Sequence, residues 1–580
     1  MQEPVRLSPR LVEGVGEVPL SAQPAAAMRS TVNEAIGGLA AAALGLGVIY
    51  AAFGGFILPP SDTGWILSGR IGPDPVQYWL GWTAFARDVW RWPPGANPGW
   101  GMELASSIFY SDSIPLLAFA FKALRPVVEV SQYWGLWIYA CGALQAWMAW
   151  RLMGLATPDP LARLAAAGLF VLQPLLLARL GGHFALGAQF LLLIGLRLCL
   201  TPGRGLRRMA AWAALLAAAA LIQAYILPMV GALWAADWLA RMADRAARRP
   251  SGAAEVVLVP AAGVAALWAG GFFLLGGGFG GTWGGYGRMQ LDLLAPFDPG
   301  YWGAILPDIA TAEHLEAGNS YPGLGVLMVL GLGALAWLAG PRGALRRRWP
   351  LVLVLAGLLL LAVTHRVAIG GREFEVIALP DWIVARADAL RASERFFWPV
   401  LYAALFGAAA ALVRRLGGRR AGLVLVAALM LQAVDLRPGF ARLHHYFTPQ
   451  PPTLPLRLAD PFWPEAARRY AFVRVVPTGM QAPNWEEVAV YAATLGLETD
   501  AVYLARLDPR AVEAVNRRVA ALLEAGAHEP RTFYVLGDEA ALERARAGMD
   551  PARDLLERFD GRWVLAPGWR VQPAANSVAR

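Results

Sequence analysis

The chain is 580 residues long, 57% hydrophobic and only 16% charged, with a mean hydropathy of +0.44. A soluble domain carries about 25% charge, so this composition points to a polytopic α-helical membrane protein, with apolar runs separated by short Arg-rich loops. The formal net charge of +9 is not a nucleic-acid signal, because the excess Arg sits in clusters between apolar runs and no RRM-like, zinc-finger or basic-helix pattern is present.

Residues 1–32 read as a cytoplasmic leader with Arg6, Arg10 and Arg29, and the first apolar run, from about Ala35, reads as a signal anchor rather than a cleavable peptide. With the leader inside, the first span, about 34–57, exits to the outer face, and 58–133 forms a long outer loop. Within it, "SIPLLAFAFKAL" is too short to cross and carries Lys122, so 113–126 reads as an in-plane or re-entrant helix. Further spans are expected at about 134–150, 160–180, 183–200, 209–223, 226–240, 254–275, 321–339, 350–364, 396–413 and 421–436. Every intervening inner loop then carries Arg, from Arg151 to Arg163 through Arg414 to Arg420. The expected fold is an α-helical polytopic membrane domain, 33–436, with about 11 transmembrane helices. Its outer loops are 58–133, 276–320 and 365–395, and a soluble α/β domain at 437–580 also lies outside. Strand-like "TFYVLGD" and "RWVLAP" and helical "DPRAVEAVNRRVAALLEAG" carry that last assignment. Cys141 and Cys199 fall inside apolar runs and read as packing residues.

Polar outliers concentrate on the outer face rather than at mid-span. Lys122, Asp237 and Asp435 lie near span ends, where side chains snorkel. Chemistry at one membrane face suits an enzyme acting on lipid-borne substrates better than a channel or transporter, which needs ionisable groups or broken helices near the midplane. The loop 58–133 holds Asp74, Glu103, Asp112 and Tyr78 among many Trp and Tyr. A carboxylate there can accept a proton from a hydroxyl or bind a metal, whereas the plain alternative is a solvated acid in an interfacial aromatic belt. Asp74 stands apart because Pro73 and Pro75 restrict the backbone on both sides.

"GGHFALGAQ" puts His183 at the outer start of a span, either to bind a diphosphate or acceptor, or simply satisfied by backbone. Gln223 and Tyr225 occupy a tight outer turn, functional or merely polar. In "RADALRASERFFWP", Arg391 and Arg395 run against the positive-inside bias, and four residues apart on a helix they would share one face. A lipid phosphate is the natural counter-anion, with pairing to Asp388 or Glu394 as the competing reading. The glycine-rich stretch 276–303 lacks the ending and context of a P-loop and reads as a lid, with Arg288, Asp292, Asp298 and Tyr301 as further candidates. No HExxH, GxSxG or Cys/His cluster is present.

Together, "GPDPVQYWLGW", "SDSIPLL", "GGHFALGAQ" and "RASERFFWP" resemble the GT-C superfamily of integral membrane glycosyltransferases, and look most like its bacterial branch DUF6311. The resemblance implies a polyprenyl-phosphate sugar as donor, a glycan or lipid acceptor at the periplasmic face of the bacterial inner membrane, and inverting transfer. It implies Asp74 as base, Arg395 with Arg391 on the donor phosphate, and His183, Asp112, Glu103, Tyr78, Tyr225 and Gln223 around acceptor or sugar. Many GT-C members pair two acids in the first outer loop, whereas Asp74 has no acidic neighbour, so a divalent metal remains an open cofactor. The rival readings are a lipid-linked saccharide flippase and a non-catalytic glycan-assembly subunit.

Overall fold

The computed structural model describes residues 22–104, 106–243, 251–274, 286–309, 320–340, 348–449, 458–504 and 508–571. The first part of the expected lid, 276–285, lies outside the described residues, as do leader residues 1–21 and linker residues 450–457.

Two bodies of structure are present: a helical bundle and a small mixed sheet. The bundle begins with α1 (Ala22–Phe53), followed by α2 (Pro73–Arg87) and α3 (Pro115–Leu124) in the long loop. Then come α4 (Trp134–Met153), α5 (Pro160–Val171), α6 (Pro174–Leu180), α7 (Phe190–Leu200), α8 (Gly205–Ile222), α9 (Ile226–Ala243) and α10 (Ser251–Gly270). It closes with α11 (Leu324–Leu338), α12 (Trp349–Val363), the short α13 (Asp381–Ala387), α14 (Phe397–Leu416), α15 (Gly418–Asp435) and α16 (Arg437–Phe447). Small residues let α1 and α4 touch backbone to backbone: a methyl group added at Gly45 would lie 2.2 Å from the Gly142 carbonyl oxygen.

The expectation of 11 spans is not met. Each expected segment is helical, but among the described residues only four helices are long and apolar enough to cross a membrane, or up to six if each bent pair counts once. Two causes are visible. The pair α5–α6 bends by 51° and the pair α15–α16 by 55°, in each case where a proline (Pro174, Pro438) opens the second helix and removes a backbone donor. In addition, α11 and α12 have 15 residues each, about 22 Å of rise against a hydrocarbon core of about 30 Å.

The bundle has two chemically distinct ends. At one, Arg163 forms a bidentate pair with Glu34 (2.7 Å to each oxygen) and lies 3.7 Å over the Trp150 ring, while Arg348 donates to the Cys199 carbonyl at 2.7 Å. Arg208 grips Asp237 at 2.7 and 2.9 Å, and Arg241 binds Glu255 at 2.6 Å. Asp237 is thus buried and paired rather than snorkelling, and so is Asp435, which accepts from the Tyr321 hydroxyl (2.6 Å) and the Leu324 amide (3.0 Å). Lys122 is buried too, donating to the Val89 carbonyl at 3.1 Å with its ammonium 3.9 Å over the Phe85 ring. The opposite end carries the long loop, the turns after α6 and α8, the hairpin β1 (Arg366–Ile369) with β2 (Arg372–Glu375), and the sheet domain.

That domain contains α17 (Phe462–Arg469), β3 (Phe472–Val476), α18 (Trp485–Leu495), β4 (Glu498–Thr499), α19 (Pro509–Ala525), β5 (Thr532–Leu536), α20 (Glu539–Gly548), β6 (Leu555–Phe559) and β7 (Arg562–Ala566). The strand order is β4-β3-β5-β7-β6, parallel across β4-β3-β5 and antiparallel from β5 outward. Helical crossovers account for the parallel half. Asp560 (φ 45°) and Gly561 (φ 81°) make the two-residue turn between β6 and β7, which requires positive φ at both positions. The domain core is not closed by the domain alone: Val76 and Leu80 of α2, with Trp100, Leu104 and Tyr110, are buried among its side chains.

The two parts are also joined by polar contacts. The Gly101 amide donates to the Thr499 carbonyl at 3.0 Å. Arg474 of β3, 2% exposed, binds Asp500 at 2.9 Å, Glu103 of the long loop at 2.5 Å, and Glu529. Arg518 adds bonds of 2.7 Å to both Glu103 and Glu529.

Candidate functional site

The first turn of α2 is built by its sequence. Gly72 precedes it at φ 87°, a conformation that suits glycine. Pro73 and Pro75 sit in the first turn, where an amide hydrogen would have no helical partner. Asp74 is held between them, in the turn where the helix dipole favours a negative charge.

Asp74 meets His183 directly: Nε2 of the imidazole lies 3.2 Å from a carboxylate oxygen, and both side chains keep exposure, 41% for His183 and 30% for Asp74. His183 is placed by the end of α6, its amide donating to the Arg179 carbonyl at 2.8 Å. One turn along α2, the Tyr78 hydroxyl donates to the Gly182 carbonyl at 3.1 Å. Burial holds the His183 imidazole below its usual range, with Arg179 and Arg395 adding to the effect and the Asp74 hydrogen bond opposing it. In its uncharged form the ring presents Nε2–H to the carboxylate 3.2 Å away.

Asp112, at φ 55°, accepts from Gln223 Nε2 at 3.1 Å. Burial pushes its carboxyl up to about 7, helped by the negative charge of Asp74 and opposed by Arg395 and the Gln223 hydrogen bond. Gln223 ends α8, and two residues on, the Tyr225 ring lies under the Arg395 guanidinium, 4.7 Å from carbon to ring centre. The Tyr225 hydroxyl accepts from the Ala392 amide at 3.3 Å. Arg395 is buried in the short helical turn Ser393–Phe396, which is pinned by the Glu394 amide on the Met289 carbonyl (3.1 Å). Burial pushes the Tyr78 phenol well above its usual range. Asp74 and Asp112 push the same way and Arg395 opposes them, so one local field joins the four residues.

Seven expected residues thus gather at one end of the bundle: Asp74, His183, Tyr78, Asp112, Gln223, Tyr225 and Arg395. Glu103 does not join them, since its carboxylate is held by Arg474 and Arg518. Arg391 does not share a helix face with Arg395. The chain makes two separate tight turns, 388–390 and 393–396, broken at Ala392 with ψ 64°. Asp292 is taken up by the Gly370 and Gly371 amides (3.0 Å each), and Asp298 by those of Gly300 and Ile309 (3.1 Å each). Tyr301 lies under Arg442, 4.2 Å from its ring. Sequence reading missed Arg179, which is buried and 3.2 Å from the equally buried Glu394. The signal was available: "LLLARLGGH" places an arginine at the same end as Arg395, against the same charge bias. Among the described residues no group of three or more His, Cys, Asp or Glu is disposed to hold a metal ion.

The Asp112 carboxyl gives a stability test. Its folded-state value lies above the ordinary carboxylate value of 3.8, so the folded chain holds this proton more tightly than the unfolded chain. Stability from this group is full below about pH 4 and is lost as pH rises to about 7. Asp112→Asn removes that loss. The variant's unfolding midpoint relative to wild type should be higher at pH 8 than at pH 5, and an offset equal at both values would contradict the assignment.

Residues 42–437 match the family described as Domain of unknown function (DUF6311), and residues 462–567 match the DUF6311 C-terminal domain. No curated protein matches the chain.

Proposed function

The chain belongs to the DUF6311 family, and we propose that it is a membrane glycosyltransferase of GT-C type that moves a sugar from a polyprenyl-phosphate donor to a hydroxyl acceptor. The observation that carries this reading is a carboxylate–imidazole pair, Asp74 with His183, at the same end of the bundle as a buried arginine, Arg395 on Tyr225. A base and an anion-holding cation at one end of an apolar bundle suit a substrate whose tail stays in lipid.

The acceptor oxygen attacks the anomeric carbon, its proton passes to Asp74, and the carbon–oxygen bond to phosphate breaks with inversion. The released polyprenyl phosphate carries the electron pair and is stabilised by Arg395. Neutral His183 orients the Asp74 carboxylate through its Nε2–H. The bias of Arg toward the opposite end supports a cytoplasmic N-terminus and a periplasmic site and C-terminal domain in a bacterial inner membrane. Labelling of Trp90→Cys from the cytoplasmic face would reverse that orientation.

The direct test incubates purified protein with a panel of polyprenyl-phosphate sugars and measures released polyprenyl phosphate; no release from any donor sinks the reading. Arg395→Ala should weaken donor binding by about tenfold or more, since a charge-assisted bond to phosphate contributes about 1.5–3 kcal/mol. Unchanged donor affinity would remove Arg395 from the phosphate site.

A further inference from the structure

One buried ion pair ties together the two turns that carry His183 and Arg395. Nη2 of Arg179 donates to a Glu394 carboxylate oxygen at 3.2 Å, and the two side chains are 4% and 5% exposed. Arg179 stands in the last turn of α6, and its carbonyl accepts the His183 amide at 2.8 Å. One turn of backbone therefore joins it to the imidazole that meets Asp74. Glu394 directly precedes Arg395 in the tight turn Ser393–Phe396. The Arg179 guanidinium carbon also lies 5.9 Å from the ring centre of Trp398, in the first turn of α14 just beyond Arg395. The Arg395 turn has its own anchors, since the Ser393 hydroxyl and the Glu394 amide both donate to the Met289 carbonyl, at 3.2 and 3.1 Å. By contrast, α6 follows the 51° bend where Pro174 takes an amide out of the helical ladder. Its direction is set by what it touches beyond α5, and Arg179 is the side chain it extends to the Arg395 turn.

A buried ion pair is a poor stabiliser, because desolvation cancels most of its attraction and apolar residues of similar volume serve a fold as well or better. What such a pair supplies is arrangement, since each charge tolerates burial only against the other. We infer that Arg179 is a positioning residue, its guanidinium clamping the Arg395 turn to the His183 turn through Glu394, so that the base and the phosphate-holding arginine meet one substrate at the same time. That role rests on the glycosyltransferase reading. It is exerted in the transition state, where proton transfer to Asp74 and growth of charge on the phosphate coincide, whereas binding of the donor in its ground state needs Arg395 alone.

The test uses the full chain in vesicles with a polyprenyl-phosphate sugar that wild type turns over. Release of polyprenyl phosphate is measured against donor concentration, and the unfolding midpoint of each variant is measured beside it. Arg179→Met combined with Glu394→Met removes both charges at once, so the midpoint should match wild type or rise. Its kcat should fall by about 10- to 100-fold, with the donor KM within about threefold of wild type. Arg179→Lys keeps a charged donor for Glu394 but loses the planar fork, so its kcat should fall between the two. If the double variant does not fold, Arg179→Lys carries the test by itself. Wild-type kcat in a folded variant overturns the inference. So does a kcat that falls only in step with the midpoint, which is support of the fold and nothing more. A donor KM that rises at constant kcat overturns it too, by making Arg179 a donor ligand. Each of these leaves the enzyme reading standing. If wild type turns over no donor at all, the enzyme reading fails and the positioning role falls with it.

Discussion

Asp74→Asn is expected to lower sugar transfer by about 10²–10⁴-fold, the range that a positioned general base contributes, while leaving the fold intact. The amide keeps the shape of the carboxylate, and its oxygen still accepts from His183 Nε2, which lies 3.2 Å from the carboxylate. Asp74 is 30% exposed and lies outside the buried packing of α2, which rests on Val76, Leu80 and Tyr78. Nothing in the variant should therefore unseat the helix. What changes is proton affinity, because an amide cannot take the acceptor's proton. The measurement compares transfer rates of purified wild type and variant at equal donor occupancy, with unfolding midpoints as control. A variant of full activity and unchanged midpoint would remove Asp74 from the chemistry.

Arg474→Met is expected to release the sheet domain from the long loop and lower its stability by roughly 3–5 kcal/mol, the cost of leaving buried charges without their partner. Arg474 faces three carboxylates, and the least exposed of them, Asp500 at 1%, has no route to solvent. The Asp500 carboxyl is raised by burial and brought down by Arg474, so loss of the guanidinium leaves the burial effect opposed only by hydrogen bonds from the Val475 amide and Thr478. Glu103 and Glu529 retain Arg518, which is 44% exposed and so binds more weakly through solvent screening. Arg474→Lys should rescue only partly, since a single ammonium cannot address three carboxylates as the planar fork does. The readout is the chemical unfolding midpoint of the sheet domain in the intact chain, followed by its aromatic signal; no shift in either variant would refute the clasp.

The order of most helices was readable because apolar runs in this chain end at strong punctuation: Pro160, Gly205 and Gly418 each stand at a helix start. The number of membrane crossings was not, because hydropathy along a window does not register a 51° bend or a helix of 15 residues. Asp74 and His183 were legible for a local reason, each being an ionisable residue framed by Pro or Gly at the edge of an apolar run. Glu103 illustrates the opposite case. An acid in an aromatic loop looks available, and its partner Arg474 lies 371 residues away in sequence. The Arg391/Arg395 face failed because helical spacing was assumed where the chain breaks at Ala392.

The shared core has a practical consequence for anyone wishing to study the sheet domain in isolation. Val76, Leu80, Trp100, Leu104 and Tyr110 are absent from a fragment that starts at 458, and their removal bares the apolar seat in which they rest. Such a fragment should aggregate or bind detergent. A graft in which the stretch 73–110 is fused to it through a flexible tether should behave better.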